Sequence, residues 1–575
     1  MMALNFHSKT LIALFFLCVV FFMQGISRHG VEYRDDEIFY FESSQEMLQS
    51  GELLSPTYFG QDRFQKPILF YWLIIFAFKV LGVNWFAARL VAVIFAGLTV
   101  CLTYAIARRF FDTKVAVLSS FILMTTPLFF RHAKNVVPDM ALNFFIVLSI
   151  YWAMRFADDP ARKRNAFLFF VFCSIGFMIK GFAALIVPVL ALVAFSLGSG
   201  KRELLRKINF PLGLVVFAVI VLPWFVYMIM VHGSAYADYM LVHETKDRLL
   251  VGGQGNVILN TLLSFLRNAA FYLKILWNYF APWSLFALLG IPWAAVKLAK
   301  GRSGEPALLW LVGWFFIVLI FFSLVHVTIN HYILVLSTPF AILLAHFFVN
   351  GCEEKAWVRQ LVKSLAVILL FFGFLAWSFV FVFLAGASAL WLAVFAALLA
   401  GLVGIIVKGR EPARAVLLVA LFLVFVLSQT SVMFKAGLAG HDTLARFAAT
   451  INRQLDQDTV VGVGSHDLHE KEFQVYFSSR IEKVANSDTS ETRQMLTDLF
   501  AHQGRVFCLI IGRDFQSNRD LFQDRNIRIV QKDYIFRKRL YLDRNFLYAL
   551  LTLDRKVIHD YLMEEVILLE KESHA

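Results

Sequence analysis

Long apolar stretches alternate with short basic connections along most of this chain, and that repeat limits it to a bundle of membrane-spanning helices. A span needs about 20 apolar residues. Such stretches fall near 11–26, 86–108, 114–130, 139–157, 166–180, 182–199, 209–231, 271–296, 307–325, 331–349, 363–385, 388–407 and 415–434. The expectation is thirteen crossings. A hydrophobic content of 59%, against 17% charged residues, excludes an ordinary soluble enzyme. The net charge of +13 is not a nucleic-acid signal, because from Lys435 onward 20 basic residues face 21 acidic ones. The basic excess belongs to the membrane part, where loop topology explains it.

The run from Ile68 to Leu81 is about 14 residues, short for a crossing. If it lies in the interface, the clusters around Arg108, Arg162, Arg202, Lys297, Arg359 and Arg410 all fall on one side. The positive-inside rule then makes that side cytoplasmic. The N-terminus is expected inside, and the C-terminal region outside. Two long outer loops result, 27–85 and 232–270. Glu42 to Leu48 in the first reads as a short amphipathic helix.

From residue 436 to 575 the composition is that of a soluble domain. Thr459 to Gly464 and Arg505 to Ile511 read as buried strands, and Asn526 to Val530 as a third. Asp442 to Leu455 and Glu491 to His502 read as helices, so a small α/β domain is expected. Phe546 to Leu569 has helical apolar spacing, but its charges argue against a further crossing. The five cysteines form no CxxC, which gives neither a disulfide framework nor a cysteine metal site.

The charged residues of the outer face are the candidates for chemistry. Asp35-Asp36-Glu37 either caps the helix that follows or supplies a base for an acceptor at the membrane surface. Lys66 either snorkels to headgroups or binds a phosphate. Asp139 opens one span and Lys180 sits at a hairpin between two others, both at the outer face; each reads as part of a structural ion pair, as a helix cap or as a functional charge. Arg131, His132 and Lys134 add positive charge there. His243, Glu244 and Arg248 lie in the second loop, and His331-Tyr332 near a later outer turn. No HExxH, GxGxxG, P-loop or GxSxG is present, so a metal site is not expected, nor is nucleotide chemistry or a serine hydrolase.

In order, the chain reads an acidic pair after the first span, FQKPILFYWL (64–73), FAARLVAVIFAGLTV (86–100), VPDM (137–140), IKGFAALIVP (179–188) and VLPW (221–224). Together these resemble the GT-C glycosyltransferases of the protein O-mannosyltransferase and lipid A aminoarabinose transferase superfamily, over roughly residues 10–350. The resemblance implies a GT-C fold in the cytoplasmic (inner) membrane. It also implies inverting transfer of a sugar from a polyprenyl (undecaprenyl) phosphate to an extracytoplasmic lipid, glycan or protein. By the same resemblance Asp36 is the acid of the first outer loop, with Glu37 completing the pair, and Asp139 joins them as a catalytic candidate. Lys66, Lys180, Arg248 and Tyr332 are placed at the donor phosphate, with Arg131, His243, Glu244 and His331 as accessory residues.

The chain departs from relatives at Gln65 and Thr245, where they carry glutamate and histidine. It also lacks their lysine and proline just before Tyr332. Both ligands of the family-type metal site are therefore altered, a divalent metal stays open on this reading, and no other cofactor is assigned. A transporter with charges lining a pathway, or a non-catalytic envelope assembly protein, are the alternatives. Charges clustered at one face favour an enzyme over a transporter.

Overall fold

A computed structural model describes residues 6–27, 34–58, 60–240, 257–300, 306–325, 327–379, 390–435 and 441–455, with parts of 458–572. The chain divides into two compact units. One holds residues 1–26, 39–378 and 388–428, and the other 27–38, 379–387 and 429–575.

The first unit is helical. Its opening elements are α1 (Phe6–Met23), α2 (Arg34–Ser50, from residue 39 onward), α3 (Leu69–Leu81), α4 (Trp85–Phe110), α5 (Thr113–Met124), α6 (Pro127–His132), α7 (Asp139–Asp158), α8 (Lys163–Lys180) and α9 (Ala183–Gly198). Side chains fix where the helices start. Asn84 accepts from the Ala87 amide at 2.9 Å to open α4, and Asp112 from the Val115 amide at 2.8 Å to open α5. Arg89 on α4 is fully buried, donates to the Ile26 carbonyl at 3.0 Å and lies over Trp85. Its charge ties α4 to the turn that follows α1 without reaching water.

Among the described residues, seven helices are long and apolar enough to cross a membrane: Trp85–Phe110, Asp139–Asp158, Phe210–Asp238, Pro306–Leu324, Asn330–Gly351, Ala356–Ser378 and Pro412–Gln429. Shorter apolar helices include Ser8–Met23, Leu69–Leu81, Thr113–Met124, Ala183–Gly198, Trp283–Ala299 and Ala393–Lys408. The chain is a multi-pass membrane protein, while the number of crossings is not fixed at the expected thirteen by helix length. The expected span 114–130 shows why. It breaks after Met124, where the Thr125 hydroxyl bonds back to the Phe121 carbonyl at 2.6 Å and Pro127 starts α6. Helix α3, with 13 residues, is about 20 Å long, short of a hydrocarbon core of about 30 Å.

Helix α2 extends the short helix read near Glu42 to 17 residues. Glu46 accepts from the Thr57 hydroxyl at 2.6 Å and from the Gly60 amide, which ties α2 to the small hairpin β1 (Thr57–Tyr58) and β2 (Gln61–Asp62). Burial, and then the neighbouring Glu46 carboxylate, raise Glu42 from its ordinary value near 4.5 to about 7. An acid raised in the fold binds its proton more tightly there than in the unfolded chain. The contribution of Glu42 to stability is therefore fully present below about pH 4.5, is lost as pH rises from about 4.5 to about 7, and levels off above. Glu42→Gln is expected to flatten that slope and to gain about 1–2 kcal/mol above pH 7, as read by thermal unfolding across pH.

The second unit contains a five-stranded sheet. Its strands are β3 (Val460–Val463), β4 (Lys483–Val484), β5 (Val506–Ile511), β6 (Ile527–Phe536) and β7 (Met563–Lys571), in the order β4-β3-β5-β7-β6. The first three are parallel, and β7 runs antiparallel to both β5 and β6. Period-two alternation explains the unbroken apolar run of β5. Phe507, Leu509 and Ile511 face Phe447 and Ile451 of the helix His441–Asn452. Val506, Cys508 and Ile510 face Leu496, Leu499 and Phe500 of Thr489–Phe500. The helical spacing read over Phe546 to Leu569 does not hold at its end, because Met563–Lys571 is a strand buried between two others.

Glu570 at the end of β7 is fully buried and is held by Arg505 at 2.8 Å and Arg528 at 3.0 Å. Arg505→Met leaves that carboxylate short of a partner. We expect a loss of about 3 kcal/mol, seen as faster hydrogen exchange in β5 to β7 of the full-length protein.

Candidate functional site

Helices α7 and α8 form an antiparallel pair, so the start of one lies beside the end of the other. Asp139 is in the first turn of α7 and Lys180 in the last turn of α8, each at the helix end its charge favours. Gly181, at φ +98°, ends α8 in a conformation that residues with a Cβ rarely adopt. The Lys180 ammonium donates to Asp139 Oδ1 at 2.7 Å. It also reaches His331 Nε2 at 3.2 Å, and that nitrogen is 3.6 Å from Asp139 Oδ1.

His331 comes from the 3-10 turn Asn330–Leu336 and His132 from the end of α6. The two imidazoles meet edge to face, with ring centres 5.8 Å apart. His132 is fully buried, and its Nδ1 donates to the Leu128 carbonyl at 2.8 Å. Lys66 stands within electrostatic reach of His331. The sequence thus brings together two histidines, one carboxylate and two lysines from five separate segments.

A cavity of about 130 Å³ opens beside this cluster. Gln65, Asp139, Lys180, His331 and Tyr332 line its polar part, and Phe177, Phe182, Ile186, Phe322 and Val325 are among the residues of its apolar part. Tyr332 packs against Phe322, with ring centres 5.2 Å apart. A ligand with an anionic head and a hydrocarbon body matches this division: the cations favour the head, and the apolar wall the body.

Of the residues singled out in the sequence, Lys66, Asp139, Lys180, His331 and Tyr332 gather here. Arg131 is half-buried on α6 next to His132. Asp36 and Glu37 are in the first turn of α2, within the stretch counted with the second unit. Asp36 is exposed and Glu37 fully buried. His243, Glu244, Thr245 and Arg248 lie outside the described residues. Sequence reasoning grouped His132 with its charged neighbours and gave it no part in the site. Its place seven residues before Asp139, across a connection that ends in Pro138, was the available signal.

Residues 65–227 match the family described as dolichyl-phosphate-mannose-protein mannosyltransferase. An undecaprenyl phosphate-alpha-4-amino-4-deoxy-L-arabinose arabinosyl transferase of Pseudomonas fluorescens is 28% identical over 343 residues, which is 59% of this chain and 57% of the relative. An uncharacterised protein of Aquifex aeolicus is 27% identical over 348 residues, 60% of this chain and 63% of the relative. These matches span less than two thirds of either relative's length. Among solved structures, ArnT from Cupriavidus metallidurans bound to undecaprenyl phosphate superposes with a TM-score of 0.66, at 18% identity, over 98% of both chains. The fold is therefore the GT-C fold that the sequence resemblance implied.

Proposed function

We propose that this GT-C chain is a membrane glycosyltransferase that moves a sugar from a polyprenyl phosphate of undecaprenyl type to an extracytoplasmic lipid, glycan or protein. The observation that carries this reading is the cavity whose polar part holds Lys180, Asp139, His331 and Tyr332 while its wall is aromatic and aliphatic. The arabinosyl transferase relative and the solved ArnT complex support a lipid-phosphate donor.

In the reaction, the bond between the anomeric carbon and the phosphate oxygen breaks, and a bond from the acceptor oxygen forms on the opposite face. Asp36 takes the acceptor proton or orients the acceptor, with Glu37 beside it in sequence. The departing polyprenyl phosphate carries negative charge away. Lys66 and Lys180 neutralise it in a partly dry pocket, where a fixed cation is worth more than in water. Arg248 and Tyr332 complete the phosphate site in this scheme. Asp139 is a positioning residue, because it holds the Lys180 ammonium at 2.7 Å. The same reading puts the N-terminus in the cytoplasm and the reacting groups outside the cytoplasmic membrane.

Mass analysis of envelope lipids and glycans from cells with and without the protein tests this. The expected result is one sugar-sized mass lost from one acceptor class. Identical envelopes, with the protein present and folded in one strain only, would count against it.

A further inference from the structure

We propose that His132, Asp139 and His331 form a binding site for a late divalent metal ion such as zinc, and that the ion competes with the Lys180 ammonium for Asp139. One ligand atom from each of the three residues lies within 4.8 Å of the others. Two imidazole nitrogens and one carboxylate are a donor set suited to zinc and its transition-metal neighbours. Magnesium and calcium favour oxygen ligands and fit it poorly. These donors are not the family-type positions, which here carry the amide of Gln65 and the hydroxyl of Thr245.

Three features prepare the site. The Leu128 carbonyl accepts from His132 Nδ1, which puts the His132 lone pair on Nε2, the nitrogen a metal would bind. The ligands come from α6, from the start of α7 and from the 3-10 turn, and all are largely buried, so few rotamers need to be frozen on binding. Asp139 and His331 also line the cavity, so a metal there keeps an open position toward a phosphate oxygen or water.

The cluster is already arranged around a positive charge. Lys180 stands 2.7 Å from Asp139 and 3.2 Å from His331 Nε2. His331 and Asp139 are 3.6 Å apart, near the donor spacing of a tetrahedral zinc site. The ligand atoms lie within 4.8 Å of one another, so the widest separation closes by up to about 1.5 Å to reach tetrahedral spacing. Binding would turn the ammonium out of the cluster toward the cavity that Lys180 also lines.

The test uses the full-length protein in nanodiscs, stripped with a chelator and titrated with cobalt or zinc alone. One cobalt per chain is expected, with ligand-field absorption that zinc abolishes. His132→Ala and His331→Ala should each weaken binding about 100-fold, and Lys180→Met should tighten it about tenfold. If His132→Ala does not fold, His331→Ala decides. The absence of saturable binding, or binding unchanged by the histidine variants, overturns the site. Binding no tighter in Lys180→Met overturns the competition. Neither donor nor acceptor is present, so this result and the fate of the transferase reading are separable.

Discussion

Lys180→Met is expected to cut sugar transfer by about 10²–10³-fold and to cost about 3–5 kcal/mol of stability in metal-free protein. The two losses have different origins. Transfer falls because a cation placed for the leaving phosphate is gone. Stability falls because Asp139, with a side chain only 7% exposed, is left as a charge without its ammonium. Asp139→Asn in the same chain separates them. Neutralising the stranded carboxylate should return most of the stability, because removing both members of a buried pair costs far less than removing one. Transfer should stay low, because the cation is still missing. Unfolding measurements and assays on all four proteins form a double-mutant cycle, with a coupling expected at about 2–3 kcal/mol in stability. Additive losses would show that the 2.7 Å contact has no energetic weight.

Asp36→Asn is expected to lower transfer to a hydroxyl acceptor by about 10²–10⁴-fold with unchanged folding. The carboxylate is exposed, so its amide costs the fold little. Glu37→Gln, one residue on, should differ. That side chain is fully buried, and its substitution should lower stability as well as transfer. The size of the Asp36 effect also sorts the acceptor. A hydroxyl must lose a proton as it attacks, whereas a phosphate acceptor is already an anion and needs only orientation. A loss below about tenfold would point to an anionic acceptor. Full transfer to a hydroxyl acceptor by folded Asp36→Asn protein would refute the base.

How much of this was legible in the sequence depends on what set each feature. The shared membrane face of the Asp139–Lys180 pair was readable, because one residue opens a span and the other closes the next. The pair's contact distance was not, since that depends on how α7 and α8 pack. His132 was undervalued because a histidine between Arg131 and Lys134 reads as part of a solvated basic turn. Its burial comes from neighbours distant in sequence, His331 among them. The strand Met563–Lys571 was hidden for another reason. A strand covered on both faces loses its alternation, and its apolar residues then imitate helical spacing. The break at Thr125-Thr126-Pro127 turned one expected span into two helices, although proline marks such a boundary in the sequence. At Asp36 and Glu37 the motif favoured the first residue, while burial singles out the second.

The most direct test of the central claim supplies purified full-length protein with an undecaprenyl-phosphate sugar and envelope acceptors, and follows the freed undecaprenyl phosphate by mass spectrometry. The account predicts release matched one for one by glycosylated acceptor, and lost when Lys66 is replaced by methionine. Donor that binds but is never consumed, or release that the Lys66→Met protein still catalyses at full rate, would contradict it.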